Sequence, residues 1–147
     1  MPHLQYSSPA FEGFSISTDP SDLDLAFVHQ FLSEESYWAA GIEKTDTEAS
    51  LEGELCYSVF YKKKQIGFAS VTSDFASFAY ISDVFIDAQF RGKGLSLWLL
   101  ECVLSHPQLQ HLESWMLMTD DAHGLYEKMG FERMPGSADQ MIRTSKK

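Results

Sequence analysis

Positive charge is scarce in this chain: eleven lysine and arginine residues face twenty-one aspartate and glutamate residues, for a formal charge of −10. A nucleic-acid-binding protein usually presents a basic face, so this balance argues against a nucleic-acid partner. Long apolar runs are also missing, and no stretch approaches the ~20 residues of a membrane helix. Residues 1–14 lack a basic stretch followed by an apolar core. We therefore expect no signal peptide, no membrane partner and a cytoplasmic protein.

Cysteine is equally rare, since the chain has only Cys56 and Cys102. Neither belongs to a Cys-x-x-Cys pair, and no histidine and cysteine cluster has the spacing of a zinc site. We expect two buried thiols that act as small apolar groups, and neither a disulfide framework nor a metal site.

What the chain does contain is ordinary globular composition, with 147 residues of which 44% are hydrophobic. This length fits a single domain spanning residues 1–147. The acidic balance is compatible with a cationic, amine-bearing substrate. It is equally the balance of many proteins that are acidic for solubility, so charge alone does not assign a function.

The order of predicted elements defines the fold class. Helical spacing follows Asp19-Pro20, and further helical segments are expected at residues 35–40 and 45–52. Strands are expected at residues 55–61, 65–72, 78–87, 113–118, 131–134 and 140–144, with helices at residues 92–106 and 121–129. This order predicts an α/β fold. Its central sheet would be mixed and mostly antiparallel, with six to seven strands and helices on both faces.

The segment Gln89-Phe90-Arg91-Gly92-Lys93-Gly94 joins a predicted strand to a predicted helix. Two glycines, two basic side chains and a helix N-terminus form a cradle for a phosphate or pyrophosphate. The P-loop pattern fails because Asp87 stands where its first glycine is needed, and the dinucleotide fingerprint fails because Leu97 replaces its third glycine. On the residues alone, a tight strand-to-helix turn explains the segment about as well.

This segment resembles the Gln/Arg-x-x-Gly-x-Gly/Ala motif of the GNAT family of N-acetyltransferases, and the preceding Val84-Phe85-Ile86-Asp87 resembles that family's fourth strand. Residues 122–131, with the sequence Ala-His-Gly-Leu-Tyr-Glu-Lys-Met-Gly-Phe, resemble its second hallmark, a helix that ends in Leu-Tyr-Glu-Lys-x-Gly-Phe. The two segments occur in the family's order and at its usual separation. The resemblance implies an acetyltransferase that takes its acetyl group from acetyl-CoA.

The resemblance also implies roles for matching positions. Tyr126 would be the general acid that protonates the departing CoA thiolate. Many relatives carry asparagine seven positions before it, where this chain has Thr119, whose hydroxyl can also hydrogen-bond. The other cofactor-binding positions would be Val84, Phe85 and Ile86 for the pantetheine arm, and Arg91, Gly92, Lys93, Gly94, Leu95 and Ser96 for the pyrophosphate.

Two residues are candidates for the general base. His123 lies three positions before Tyr126, on the same side of the predicted helix. Asp83 alternates with Ile81 and Phe85, which directs it to an apolar face unless a bulge intervenes, and burial there would raise its pKa. Asp83 could instead bind backbone N–H groups or the substrate's ammonium. A chain of water molecules could remove the proton in place of either residue.

Acceptor candidates come from the early helical region, which borders the acceptor site in proteins of the family that this chain resembles. Tyr37 and Trp38 could line a pocket or hold a cation against their ring faces. For Trp38, packing in the core is equally consistent with the sequence. With Asp83, these two aromatic residues are the substrate-binding candidates.

The resulting interpretation is an N-acetyltransferase that acts on a primary amine of a small molecule by direct attack. A protein or peptide N-acetyltransferase and a non-catalytic acyl-CoA-binding regulatory module are the alternatives. The chain also resembles a bacterial subgroup of the family that has no assigned acceptor, through residues 36–39, 83–86, 91–95 and 119–126. Because the family often dimerises, the resemblance is compatible with a homodimer.

Overall fold

The protein is described by a computed structural model over residues 2–144, and its eight strands form one sheet in the order β1-β2-β3-β4-β5-β6-β8-β7. The elements in chain order are β1 (Gln5–Tyr6), β2 (Phe14–Ser17), α1 (Leu25–Glu34), α2 (Lys44–Leu51), β3 (Leu55–Tyr61), β4 (Lys64–Ser73), β5 (Phe78–Ile86), α3 (Leu95–Leu104), β6 (Ser114–Met118), α4 (His123–Glu127), β7 (Glu132–Arg133) and β8 (Gln140–Thr144).

The sheet is mixed but mostly antiparallel. Strands β1 to β5 form an antiparallel meander, β5 and β6 are parallel, and β8 lies antiparallel between β6 and β7. The predicted α/β architecture is confirmed, although the sheet has eight strands where six to seven were expected. The early strands β1 and β2 were not predicted, because two to four residues are too few to establish an alternating pattern.

The first helix begins later than its sequence signal. Asp19 accepts a bond from the Ser21 amide at 2.9 Å, but it caps only a 3-10 turn over Pro20–Asp22. Helix α1 begins at Leu25, where the Asp24 carboxylate accepts the amide of Phe27 at 3.1 Å. The prediction of a helix start at Asp19-Pro20 is therefore displaced by one turn, since a second capping aspartate follows the first.

The prediction of a helix at residues 35–40 is wrong. The Ser36 hydroxyl donates to the Leu32 carbonyl at 2.7 Å and accepts the Ala39 amide at 3.1 Å. A serine side chain that bonds the backbone in this way competes with helical hydrogen bonds, so the chain leaves α1 in a series of turns. The helical segment expected at residues 45–52 is confirmed as α2.

Helices cover both faces of the sheet, as predicted. On one face, α3 buries Leu95, Leu99, Leu100 and Val103 in a cluster that includes strand residues such as Ile81. On the other face, Val28, Phe31 and Leu32 of α1 pack with Leu51 of α2 and with Phe68 and Phe85 of the sheet. Cys56 is half-buried, Cys102 is buried, and neither forms a disulfide.

Candidate active site

Strand β5 carries a bulge at the point where it parts from β6. Phe85 pairs with Phe68 and Ser82 with Ser70, so the single residue between the β4 partners opposes both Asp83 and Val84. Asp83 has a φ of +54°, a left-handed backbone that is uncommon for a side chain other than glycine. A bulge changes the face to which the following side chains point. The bulge that the alternation argument left open therefore does intervene at Asp83.

The consequence of the bulge is visible in the core. Ile81 packs in the cluster beneath α3, whereas Phe85 packs on the opposite face, where its ring stacks on Phe31 at 3.7 Å between centroids. The parallel pairing with β6 ends at Ile81, although β5 continues to Ile86. The two strands therefore diverge, and residues 82–86 have no β6 partner.

A cavity of about 430 Å³, which we call the acidic cavity, opens at this divergence. Its volume lies within the range of small-ligand pockets. Four aspartates line it, together with aromatic side chains and Met118, while none of its lining residues is Lys, Arg or His. The lining residues are Tyr37, Trp38, Tyr80, Ile81, Ser82, Asp83, Val84, Met118, Thr119, Asp120, Asp121, Ala122, Tyr126 and Asp139.

The aromatic pair Tyr37 and Trp38 spans the acidic cavity. The Trp38 indole Nε1 donates to the Asp83 carboxylate at 2.8 Å, and the Tyr37 hydroxyl accepts the Asp120 amide at 2.9 Å. The two rings meet edge to face at 5.0 Å. Because 43% of Trp38 is exposed, it is not a core residue, and its position fits the substrate-binding candidate of the sequence interpretation.

Asp83 is a half-buried carboxylate of this cavity. Burial raises the pKa of Asp83 above the usual range of an aspartate, while the hydrogen bond from Trp38 opposes this by lowering the pKa. The side chain thus faces a cavity with one stabilising donor. This arrangement allows Asp83 both to attract an ammonium group and to exchange a proton with it.

Tyr126 lies on α4 and is only 7% exposed, although it lines the acidic cavity. Its ring packs on Phe131 at 6.0 Å in an edge-to-face arrangement. Within the described chain, the Tyr126 hydroxyl has no hydrogen-bond partner. Burial, and then the electrostatic influence of Tyr37 and Asp121, raise the pKa of Tyr126 well above its usual value. The phenol is therefore held in its protonated form.

His123, the other candidate base, is located differently from Tyr126. Its Nε2 lies 2.9 Å from the Ala138 carbonyl, and His123 is not among the residues that line the acidic cavity. His123 and Tyr126 are three residues apart on α4, which has only five residues, His123–Glu127. His123 is the first residue of this helix and contacts the loop before β8. The structure therefore brings Asp83, but not His123, to the cavity that Tyr126 lines.

A second cavity of about 310 Å³, which we call the basic cavity, lies beside the first. Arg91 and Lys128 are its charged lining residues, and no acidic residue lines it. The full set is Ile86, Phe90, Arg91, Gly92, Gly94, Leu95, Ser96, Leu97, Leu125 and Lys128. The two cavities are contiguous along the chain, because Val84 and Tyr126 line the first while Ile86 and Leu125 line the second.

The N-terminus of α3 forms one wall of the basic cavity. Gly92 and Gly94 have φ angles of +80° and +86°, so the turn before the helix requires the left-handed freedom of glycine. Gly94 is the N-cap and provides no side-chain cap. The first amides of α3, at Leu95 and Ser96, therefore remain available to an anion, with the positive end of the helix dipole behind them.

Four further predicted cofactor positions differ in their surroundings. The Arg91 Nε donates to the Ile86 carbonyl at 2.9 Å, which ties the loop to the end of β5. Lys93 is exposed next to the basic cavity without lining it. The buried side chain of Phe85 leaves only its backbone for a ligand. The Thr119 hydroxyl accepts the Ala122 amide at 3.1 Å and lines the acidic cavity instead.

Several lining residues were missed from the sequence. Asp120 and Asp121 follow the predicted site residue Thr119, and Lys128 follows Tyr126 by two positions. Their closeness in sequence to predicted site residues could have indicated that they line the site. Asp139 arrives from the loop before β8 and had no local signal. Asp74 lines neither cavity and is a turn residue. It accepts the amides of residues 76–78 and the Ser77 hydroxyl, and these bonds, the last foremost, lower its pKa.

Two broader features of residues 2–144 bear on the class of site. Among these residues no three histidine, cysteine, aspartate or glutamate side chains are grouped as a metal ion would require. No helix in the same range has the length and apolar character needed to cross a membrane.

Comparisons with known proteins identify the class. The acetyltransferase (GNAT) domain family matches residues 52–133. A GNAT-family protein of Xanthomonas campestris pv. campestris is 40% identical, with a TM-score of 0.80 and an alignment covering 83% of this chain and 86% of that one. A Gibberella zeae protein named as an acetyltransferase is 26% identical over 135 residues, covering 78% of this chain and 76% of its own.

A GNAT-family acetyltransferase of Elizabethkingia anophelis, solved with acetyl-CoA bound, has the same fold at 13% identity, with a TM-score of 0.69 over 92% of this chain and all of that one. These matches make the present protein an acetyltransferase. It belongs to the GNAT acetyltransferase family, which confirms the resemblance carried by residues 89–94 and 122–131.

Proposed function

We propose that this protein transfers the acetyl group of acetyl-CoA to a primary amine of a small molecule, with Tyr126 as general acid. The observation that carries the proposal is the meeting of two cavities of opposite charge at residues 84–86 and 125–126. The basic cavity suits a pyrophosphate and the acidic cavity suits an ammonium group. Tyr126 lines the acidic cavity, and its neighbour Leu125 lines the basic one.

The residues of the basic cavity fit the acetyl donor. The free amides of Leu95 and Ser96, with Arg91 and Lys128 beside them, would hold the pyrophosphate. The glycines at 92 and 94 would let the phosphate oxygens approach the backbone. Lys93 adds positive charge at the entrance.

The pantetheine arm would pair with the free edge of β5 at residues 84–86, as an added strand does. The backbone of Phe85 contributes to this edge although its side chain is buried on the other face. In this scheme Thr119 acts indirectly, because its hydroxyl holds the first turn of α4 and thereby the position of Tyr126.

The size of the acidic cavity supports a small acceptor. Tyr37 and Trp38 are tied to two different segments of its lining, through Asp120 and Asp83. A volume of about 430 Å³ accommodates a small molecule. A site of this size favours a small-molecule acceptor over an extended peptide or protein substrate.

Bound acetyl-CoA supplies a thioester whose carbonyl carbon is open to attack. The acceptor enters as an ammonium ion, and Asp83 attracts it and takes one proton, which leaves a nucleophilic amine. A carbon–nitrogen bond then forms and the carbon–sulfur bond breaks. The nitrogen loses a second proton, the thiolate receives one from Tyr126, and the net products are the amide, the CoA thiol and one proton.

The proposal is tested by CoA thiol release with acetyl-CoA and a panel of primary amines, comparing Tyr126→Phe with wild type. We expect kcat to fall at least about 100-fold, the usual contribution of a positioned acid, with little change in acetyl-CoA affinity. Tyr57→Phe is a matched control, because Tyr57 is also buried with an unpartnered hydroxyl but lines neither cavity. It should retain wild-type kcat.

Near-normal turnover in Tyr126→Phe would remove this residue from the mechanism. Binding of acetyl-CoA without thiol release across the whole panel would instead favour a non-catalytic acyl-CoA-binding module.

A further inference from the structure

The acidic cavity holds more negative charge than one acceptor amine requires. Asp83 and Asp139 are half-buried in it, and Asp120 and Asp121 are exposed at its edge. None of the four is neutralised by a neighbouring cation, because the salt bridges found within residues 2–144 involve other carboxylates. A single ammonium group bound at Asp83 would leave three carboxylates facing the same space.

The cavity is a built site and not merely a cluster of acidic side chains. Tyr126 is more than nine-tenths buried, lines the cavity and has a hydroxyl without a partner among the described residues. In addition, the large apolar side chains that are most exposed in the described chain are Tyr37, Trp38 and Met118, and all three line this cavity. Exposed apolar surface concentrated at one cavity indicates a ligand with an apolar portion.

The carboxylates lie on separate segments of the chain. Asp83 is at the β5 bulge, Asp120 and Asp121 follow β6, and Asp139 precedes β8. The Asp139 carboxylate accepts the Ser137 hydroxyl at 3.2 Å, which fixes its loop, and its backbone carbonyl accepts the Thr119 amide at 2.8 Å. Asp121 acts electrostatically on Tyr126, and Asp139 acts on Tyr80, so the negative charge is spread over more than one part of the cavity.

We propose that the acceptor carries a second positive charge in addition to the amine that is acetylated, as an aliphatic diamine does. This inference rests on the proposed acetyl transfer. Asp83 binds the ammonium group that reacts, and Asp139, with Asp120 at the cavity edge, binds the distal one. The methylene chain between them lies against the apolar side chains, and the ring faces of Tyr37 and Trp38 favour the adjacent cation.

The same charges select against other amines. An amino acid carries a carboxylate that would face four aspartates without a single lining cation. A monoamine of equal length binds Asp83 but leaves the distal carboxylates unpaired. The cavity thus ranks a diamine above a monoamine, and a monoamine above an amino acid.

Three probes of one length test this ranking: 1,5-diaminopentane, pentylamine and 5-aminopentanoate, compared by thiol release with acetyl-CoA. We expect kcat/KM for the diamine to exceed that for pentylamine at least about tenfold, and 5-aminopentanoate to be the poorest. The diamine has two reactive ends, so a ratio of two is the statistical baseline. High salt should reduce the ratio, because it screens the distal interaction.

Variants locate the second charge. Asp139→Asn is nearly isosteric and keeps an acceptor for Ser137, so the fold should be retained while the diamine-to-pentylamine ratio falls. Asp120→Asn should lower the ratio less, because Asp120 is exposed. Asp46→Asn removes the same charge from the exposed surface of α2, outside the cavity, and should leave the ratio at its wild-type value.

The outcomes separate this inference from the proposed function. If kcat/KM is equal for the diamine and pentylamine, within the statistical factor of two, the inference of a dicationic acceptor is wrong. The proposed acetyl transfer would still stand. Tighter calorimetric binding of the diamine without acetylation of any probe would support the dication site and contradict the proposed function. If the diamine neither binds more tightly nor reacts faster than pentylamine, the inference is wrong.

Discussion

The acidic and the basic cavity share the end of β5 and the helix α4, yet their charges are opposite. The acidic cavity has four carboxylates and no cation, whereas the basic cavity has Arg91 and Lys128 and no carboxylate. Neighbouring residues on the same elements line different cavities, so the negative and positive linings are only a few residues apart in sequence. Under the proposed function, this contrast would hold the anionic donor and the cationic acceptor side by side.

The largest effect on activity is expected when a negative charge is removed from the acidic cavity. Asp83→Asn abolishes the proton acceptor and the ammonium contact at the bulge, and we expect kcat/KM for an amine to fall at least about 100-fold. Asparagine tolerates the left-handed backbone, so the fold should be unaffected. Steady-state kinetics as a function of pH provide the measurement.

His123→Gln is the companion variant, since glutamine can still bond the Ala138 carbonyl. Because His123 does not line the acidic cavity, its loss should change kcat/KM only a few-fold. If both variants retain the wild-type pH profile, neither residue is the base and water carries the proton away.

An intermediate effect is expected from reversing charge on the basic side. Lys128→Glu places a carboxylate in the cavity that we assign to the pyrophosphate, and acetyl-CoA affinity should weaken by about tenfold through lost attraction and new repulsion. Equilibrium binding of acetyl-CoA measures this. Lys44→Glu, the same change on α2 away from both cavities, should leave the affinity in place. An equal loss in the two variants would mean that only net charge matters.

The smallest effect concerns the hydrogen bond between the two sides of the acidic cavity. The Trp38 indole N–H stabilises the ionised form of Asp83 and so lowers its pKa. Trp38→Phe removes that donor, and the pKa of Asp83 should rise further above its ordinary value. As the pH falls, activity that needs the ionised carboxylate is then lost at a higher pH than in the wild type. The acidic limb of the kcat profile should therefore shift toward higher pH. An unchanged limb would show that the limb does not report Asp83.

Much of the fold was predictable because its signals are local. The strands β3 to β6 contain enough β-forming residues to be recognised, and the glycines at 92 and 94 mark the positive-φ turn before α3. The segment at residues 35–40 was misassigned because the Ser36 side chain bonds the backbone, a local competition that apolar spacing does not reveal.

The site was predictable only in part, since its two halves differ in origin. The basic cavity is formed largely by one continuous segment, residues 86–97, so a motif could indicate it. The acidic cavity combines side chains from the turns after α1, the β5 bulge, the end of β6 and the loop before β8. Asp139 joins Asp83 only through the tertiary fold, and no sequence pattern at either position encodes that proximity.

The left-handed backbone of Asp83 has a consequence for how this protein can evolve. A non-glycine residue in that conformation costs roughly 1 kcal/mol, and a desolvated carboxylate there adds to the cost. Glycine or asparagine at position 83 would therefore fold more favourably than aspartate does. Selection for thermal stability alone would replace this aspartate, so its retention in a lineage would signal that the acetyl-transfer activity is under selection there.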